Sequence, residues 1–172
     1  MDNDTSLIIP VSEAAFVQPF REQYLHRPGV TMPPHITLAT PFKPVRELAV
    51  DGYRRLSEIC AAVPAFAFRL ERHARFEETG VLYLAPEPSE PFLALSSLLS
   101  APEPPPTGQH ASIVFHLTLA RKQPPELDRL EAEFRRLYAA QLPIHGLARQ
   151  VSLYEKRGER WFKQATFALA AP

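Results

Sequence analysis

Two histidines in matching sequence contexts are the residues of this chain best suited to chemistry. His35 opens the segment His-Ile-Thr-Leu-Ala, and His116 opens His-Leu-Thr-Leu-Ala, 81 positions later. Imidazole titrates near neutral pH, so one ring can accept a proton while the other donates one. Thr37 and Thr118 each follow a histidine by two residues, and their hydroxyls can donate hydrogen bonds to phosphate oxygens. A base, an acid and two such donors are suited to cleaving a phosphodiester.

Taken singly, each part of this pattern has an ordinary structural explanation. A histidine at the start of a strand is more often structural than catalytic, and threonine is a common strand former. The repetition of the whole pattern favours one site built from two matching halves. The other four histidines lack a threonine two positions later, and we interpret them as surface or loop residues: His26, His73, His110 and His145.

Three further residues are candidates for contacting a bound phosphodiester. Arg121 lies just beyond the second motif and can add a charged donor, although an arginine there can equally be a solvated strand end. Phe42 and Tyr154 can stack a base beside the site. Large aromatic residues at strand spacing are more often part of the core, so that alternative stays open for both.

Alternating apolar residues predict that both motifs are strands, with the histidine and threonine on one face and the aliphatic residues on the other. A leading strand precedes them, and Ser12 is a candidate N-cap of the helix that follows it. Pro19 lies inside that helix pattern and predicts either a kink or a late start near Gln18. The pattern of strand, helix, strand, turn and strand then occurs twice. The elements predicted after the motifs are a helix after Pro44, strands at 66–71 and 81–85, a short helix at 91–99, a helix at 127–141, and strands at 147–155 and 161–169.

This repeated order predicts an α+β fold of two lobes, each with antiparallel strands and outer helices, related by a pseudo-twofold axis across a central groove. We expect one bilobal domain over residues 1–172. The lobe of His35 is expected at about 30–86 and the lobe of His116 at about 112–170, with 1–29 and 87–111 completing and connecting them. A proline-rich passage at 101–108 is the expected connector.

The composition excludes several classes of protein. Lys plus Arg and Asp plus Glu number 19 each, so no overall charge drives binding to nucleic acid or a membrane surface. The single cysteine, Cys60, cannot form an intramolecular disulfide and fits a reducing compartment. No run approaches the ~18 apolar residues of a membrane span, and the acidic, polar start is unlike a signal peptide. We therefore expect a soluble, cytoplasmic monomer.

Metal and cofactor sites are not predicted either. Two histidines without a carboxylate at a fixed spacing fall short of the three or four ligands of a zinc centre. The six glycines form no phosphate-binding loop or dinucleotide fingerprint, and no nucleophile elbow is present.

The two motifs, HITL at 35–38 and HLTL at 116–119, resemble those of the 2H phosphoesterase superfamily and, within it, the 2′-5′ RNA ligase-like family. The leading strand and helix and the stretch Val-Ser-Leu-Tyr-Glu at 151–155 extend the resemblance over most of the chain. It implies a bilobal, metal-independent enzyme that cleaves or forms cyclic or 2′-5′ phosphodiesters in RNA and nucleotides.

The resemblance also implies roles for individual residues. His35 and His116 would be catalytic, and Thr37 and Thr118 would bind phosphate. Arg121 matches an arginine that follows the second motif in many RNA-ligase-like members, whereas the first motif has Thr40 at its matching place.

Two hypotheses of different classes follow. The first is a phosphodiesterase whose substrate is a nucleotide or RNA terminus, with ligation as the reverse reaction. The second is a module that binds RNA ends or nucleotides without turning them over. The sequence leaves open which histidine is the acid, and whether the product carries a 2′- or a 3′-phosphate.

Overall fold

The computed structural model describes residues 5–25, 32–100 and 113–171, which contain eight strands and four α-helices. The strands are Thr5–Pro10 (β1), His35–Ala39 (β2), Phe66–Phe76 (β3), Val81–Glu87 (β4), Leu117–Arg121 (β5), Ile144–Ala148 (β6), Gln150–Arg157 (β7) and Arg160–Ala168 (β8). The helices are Gln18–Tyr24 (α1), Val45–Ala61 (α2), Glu90–Ser100 (α3) and Leu127–Tyr138 (α4).

The strands form two four-stranded sheets in which every neighbouring pair is antiparallel. The first sheet has the order β2-β1-β7-β8 and the second the order β5-β4-β3-β6. The two motif strands are therefore edge strands, and their Cα atoms approach within 8 Å of one another. This arrangement confirms the predicted α+β class with two lobes of antiparallel strands.

Each histidine shares its sheet with strands that the predicted lobe boundaries assigned to the other histidine. β3 and β4, expected in the lobe of His35 at 30–86, pair instead with β5 and β6 in the sheet of His116. β7 and β8, expected with His116, complete the sheet of His35 through the pairing of β7 with β1. Apolar alternation shows which face of a strand is buried, but it does not select the strand's partner.

The predicted strand at 147–155 is also wrong, because two strands occupy this stretch. β6 ends at Ala148 and pairs with β3, whereas β7 begins at Gln150 and pairs with β1. Arg149 lies between them, and its carbonyl accepts a hydrogen bond from the amide of Leu169 at 2.8 Å. The chain passes from one sheet to the other without a glycine or proline at that point, so no composition signal marks the break.

Of the two outcomes predicted for Pro19, a kink or a late start, the structure shows the late start of α1. A 3-10 helix covers Ser12–Val17, and the α-helix begins only at Gln18, with proline in its first turn where a missing amide is tolerated. Ser12 is not the N-cap, since that position belongs to Val11 and the Ser12 hydroxyl contacts Glu13 instead.

The core lies between the sheets and the helices. The aliphatic residues of the motif strands are buried in it, and all four α-helices described above add large apolar side chains. α1 follows β1 of the first sheet but packs against β5 of the second. Conversely, α3 follows β4 of the second sheet but packs against β2 of the first. Each of these helices therefore covers the motif strand of the other sheet. These crossed contacts hold the two sheets at a fixed relative position. Core residues of the motif strands are Ile36, Leu38, Leu117, Leu119 and Ala120.

The passage at 101–108, predicted to connect the lobes, lies outside the described residues. In the part of the chain that is described, no helix combines the length and apolar character needed to cross a membrane.

Candidate functional site

Both motif histidines occupy the same place relative to their strands. His35 is the first residue of β2, and His116 immediately precedes β5. In each motif the aliphatic residues are buried, whereas the histidine and the threonine two positions later are half-buried. Thr37 and Thr118 therefore lie on the face opposite the core, beside their histidines, as strand alternation predicts.

The two imidazoles make the same hydrogen bond. Nδ1 of His35 lies 2.7 Å from the carbonyl oxygen of Pro33, and Nδ1 of His116 lies 2.8 Å from that of Val114. A carbonyl oxygen only accepts hydrogen bonds, so each Nδ1 carries a proton and each neutral ring has its lone pair on Nε2. Neither Nε2 has a hydrogen-bond partner among the described residues. Both rings are thus fixed in orientation with the same nitrogen available to a ligand.

The environment disfavours the charged form of both rings. Burial is the main cause that lowers the pKa of His35 to about 4, and the charges of Arg21 and His116 lower it further. The hydrogen bond to Pro33 acts in the opposite direction and raises the pKa. Burial also lowers the pKa of His116; the Val114 hydrogen bond opposes this and the charge of Arg121 adds to it. Because the Cα atoms of β2 and β5 approach within 8 Å, the structure brings the two motifs together, and the charge of His116 accordingly acts on His35.

A shift in strand register places Arg121 beside His116. Thr118 pairs with Tyr83, but Arg121 pairs with Val81, so β5 contains one extra residue in this interval. Strict alternation would put Thr118 and Arg121, three positions apart, on opposite faces of the strand. The extra residue places them on the same face. Arg121 therefore shares the face of the threonine, in agreement with its effect on the pKa of His116.

Two aromatic residues that the sequence did not single out pack against His116. The centroid of the Phe76 ring lies 5.1 Å from that of the imidazole, edge-on, and the centroid of the Tyr83 ring lies 5.2 Å from it. The two aromatic rings stack on each other at 4.4 Å. Both come from the β3–β4 hairpin, which was expected with the other motif, so only the strand pairing could have identified them.

The two aromatic residues predicted to stack a base lie farther from the histidines. Tyr154 is on β7, on the same face as Thr37 because Ile8 pairs with both Thr37 and Ser152. Two strand spacings separate it from β2, about 10 Å. Burial raises the pKa of Tyr154.

Phe42 follows the end of β2 that is opposite His35. It lines a cavity of about 350 Å³ together with residues of α2 and α3, among them Leu48, Leu56 and Leu99. That end of the strand is about 13 Å from its start. The structure therefore places Phe42 by this cavity and not beside the two imidazoles.

One buried arginine also escaped the sequence reasoning. Arg21 of α1 donates from Nε to the carbonyl oxygen of Thr118 at 2.9 Å and from Nη1 to that of Met32 at 2.9 Å. It therefore links the second motif to the segment that leads into the first. A charged residue on an otherwise apolar helix face was the available signal.

The remaining histidines differ in their surroundings. His73 is not a loop residue but a half-buried member of β3, with Nε2 2.9 Å from Glu131 of α4. It lies three positions from Phe76 in the strand, so the two side chains point to opposite faces and His73 is directed away from His116. His145 is exposed on β6, as predicted for a surface residue. The other two, His26 and His110, lie outside the described residues.

Within the described ranges, no three histidine, cysteine, aspartate or glutamate side chains come together in a way that could hold a metal ion. Cys60 is buried in the core, where burial raises the pKa of its thiol to about 11.

Comparison with known proteins connects this geometry to a family. The model of the 2′-5′ RNA ligase superfamily matches residues 9–160, which include both motifs. A protein of Bacillus pumilus (strain SAFR-032), whose name assigns it to the phosphoesterases, is 32% identical over 92 residues. The match covers 53% of this chain and 53% of that protein, so the chain spans about half the length of this curated relative.

Solved structures share the whole fold. A crystal structure of a protein from Thermus thermophilus matches with a TM-score of 0.62 and 17% identity, covering 98% of each chain. Escherichia coli LigT complexed with ATP matches with a TM-score of 0.61 and 15% identity, also over 98% of each chain. The same protein complexed with NADP+ gives a TM-score of 0.59 and 18% identity, over 97% of this chain and 98% of that one. With the family match over most of its length, the chain belongs to the 2′-5′ RNA ligase superfamily, a group of 2H phosphoesterases.

Proposed function

We propose that the protein is a metal-independent phosphodiesterase that acts on 2′,3′-cyclic phosphates or 2′-5′ linkages of RNA or nucleotides. One observation carries this proposal: two half-buried imidazoles are fixed by equivalent Nδ1 hydrogen bonds, and each retains an unpartnered Nε2 within the described residues. Two such nitrogens at one site can take and give a proton in the same reaction.

The chemical step divides between the two rings. With a 2′,3′-cyclic phosphate, His35 Nε2 takes a proton from water as the water oxygen bonds to phosphorus. The bond from phosphorus to one ribose oxygen breaks, and protonated His116 gives its Nε2 proton to that oxygen. The product is a phosphomonoester. His35 suits the base role because its pKa, lowered to about 4, keeps it neutral over a wide pH range.

Charge on the phosphoryl oxygens must be stabilised as the new bond forms. The hydroxyls of Thr37 and Thr118 lie on the same faces as the histidines and can donate hydrogen bonds there. Arg121 adds a cation on the side of His116. Ligation is the same displacement with a 5′-hydroxyl in place of water: His35 takes the hydroxyl proton, and His116 protonates the ribose oxygen that leaves. Cleavage of the resulting 2′-5′ linkage is the reverse reaction, in which the two histidines exchange their acid and base roles.

The substrate is a nucleotide or an RNA terminus more readily than a long RNA. The 19 cationic and 19 anionic side chains give no net charge, whereas affinity for a long phosphate backbone requires an excess of cations. Among the structures with this fold, LigT has been solved with phosphate and with 3′-AMP, which supports a nucleotide-sized ligand. A monomer in the cytoplasm is part of the same proposal.

The test is turnover of a panel of cyclic and 2′-5′ phosphodiesters, with products identified by phosphorus NMR. His35→Ala and His116→Ala should each reduce kcat by about 100-fold or more, the usual contribution of an acid–base group. His145→Ala, on the exposed face of β6, is the matched control and should change nothing. EDTA should leave the wild-type rate unchanged.

Retention of turnover in either motif-histidine variant would refute the proposal. Binding of a 2′,3′-cyclic nucleotide by the wild type without any product would instead assign the protein as a binding module.

A further inference from the structure

Arg21 is the largest fully buried side chain among the described residues, with 2% of its surface exposed. A buried guanidinium loses its hydration, which is costly unless other groups compensate the charge. Burial accordingly lowers the pKa of Arg21 to about 10, while the charge of Glu22 acts in the opposite direction. Arg21 nevertheless remains protonated at neutral pH, so the protein holds a full positive charge in its interior.

The partners of Arg21 satisfy its hydrogen bonds but not its charge. Nε donates to the carbonyl oxygen of Thr118, and Nη1 donates to Gln18 Oε1 at 2.6 Å and to the carbonyl oxygen of Met32. All three acceptors are neutral. No carboxylate of the described chain forms an ion pair with Arg21, in contrast to Arg129, which pairs with Glu126 and Glu133.

The position of this charge is as informative as its lack of a counter-ion. Thr118 belongs to the second motif, and Met32 lies three residues before His35. Arg21 therefore contacts the second motif directly and the approach to the first. Its charge acts on His35 itself. A bound anion would compensate a cation next to both halves of the site; among the described residues Glu22 compensates it only in part and forms no ion pair with it.

We propose that Arg21 is a positioning residue of the two-histidine site, which ties the two motifs together and supplies a fixed positive charge that an oxyanion of the substrate completes. This inference rests on the phosphodiesterase function proposed above. It assigns the ligand class as a phosphate ester or inorganic phosphate bearing at least one full negative charge. It also gives α1 a role: this helix follows a strand of the sheet of His35 and places Arg21 against the strand of His116.

The test separates the charge of Arg21 from its hydrogen bonds. Arg21→Gln keeps amide donors but removes the charge. Arg21→Lys loses the planar fork, and because burial lowers the pKa of a lysine, it is measured at about pH 5, where the amine is protonated. Inorganic phosphate is the probe, with binding followed by calorimetry and the titration of His35 followed by NMR. Arg54→Met is the matched control, because Arg54 is an exposed arginine of α2 paired with Asp51.

Arg21→Gln should weaken phosphate binding by about tenfold or more, because it removes a full positive charge held near the anion in a poorly solvated interior. The pKa of His35 should rise, because a positive charge beside it has been removed. At about pH 5, Arg21→Lys should keep phosphate affinity within about threefold of wild type at the same pH, since the amine is protonated there. Arg54→Met should alter neither property.

A folded Arg21→Gln protein with wild-type phosphate affinity and an unchanged His35 titration would overturn the inference and leave Arg21 a purely structural residue. If Arg21→Gln does not fold, Arg21→Lys decides at about pH 5, where the amine is protonated: folded protein that no longer binds phosphate overturns the inference, and retained binding supports it. Neither readout requires turnover. Turnover retained in His35→Ala would therefore refute the proposed function, while phosphate binding reports separately on Arg21.

Discussion

At the scale of single residues, the central feature is that both histidines are held by a carbonyl oxygen two positions earlier. Pro33 and Val114 supply these oxygens. The contact is local, because a residue at the start of a strand can reach the carbonyl of the extended segment before it. It fixes the tautomer and orients the ring while leaving Nε2, the nitrogen that the proposed reaction uses, without a partner among the described residues.

The pKa directions predict how the rate depends on pH. His35 must be neutral to act as base, so kcat/KM rises as pH increases through its pKa of about 4. His116 must be protonated to act as acid, so kcat/KM falls as pH increases through its pKa, which is lowered from the ordinary 6.5 of imidazole. The maximum should therefore lie below pH 6.5, with a fall of about tenfold per unit well above it.

A profile of kcat/KM over the range from about pH 3.5 to about pH 9 checks this, with protein stability verified at each pH. A rate that continues to increase between about pH 7 and about pH 9 would contradict the assignment of an imidazolium as the acid.

At the scale of elements, the extra residue in β5 determines where the cation beside His116 lies. The same irregularity occurs in β2, where Leu7 pairs with Ala39 and Ile8 with Thr37. In both motif strands, the alternation of side chains between the two faces of the sheet is therefore interrupted just after the threonine. In the second motif this interruption brings Arg121 to the site.

Arg121→Ala tests whether that register shift serves the site. We expect KM to increase about tenfold, equivalent to about 1.4 kcal/mol of binding free energy. Removing the charge should also raise the pKa of His116, so the descending limb of the pH profile should move to higher pH. Lys122→Ala, the exposed neighbour, is the control in the same assay.

If Arg121→Ala leaves both KM and the descending limb unchanged, Arg121 is a solvated strand end and the register shift has no part in binding.

The sequence was informative about elements that depend on local physics. The delayed start of α1 follows from Pro19, and the burial of Leu117 and Leu119 follows from alternation. The register shift and the break at Arg149 arise from pairing between strands distant in the chain, which no local pattern encodes. Arg121 could therefore be named from the motif, but its face could not be derived.

At the scale of the whole molecule, the site exists only because two sheets meet at their edges. α1 and α3 each cross to the opposite motif strand, and each adds a hydrogen bond to a backbone carbonyl of that strand. Arg21 bonds to Thr118, and the hydroxyl of Ser96 bonds to the carbonyl oxygen of Leu38 at 2.7 Å. Crossed helices of this kind fix the separation of the two histidines.

The repeated motif was enough to predict two matching halves, but not how the halves are assembled. Tyr83 and Phe76 reach His116 because their hairpin belongs to its sheet. Their contribution, like that of Arg21, depends on tertiary pairing between segments up to 97 positions apart. The two candidate catalytic residues were therefore predictable as a pair, whereas the groups that surround them were not.

The central claim is that the two histidines divide acid and base work in one reaction. The most direct measurement compares the rates of His35→Ala and His116→Ala on a 2′,3′-cyclic nucleotide and on a p-nitrophenyl phosphodiester, whose leaving group needs no proton. We predict that both variants fail on the nucleotide and that His116→Ala alone recovers near wild-type rates on the aryl ester, since only the acid becomes dispensable. Equal losses on both substrates, or normal turnover of the nucleotide by either variant, would contradict the account.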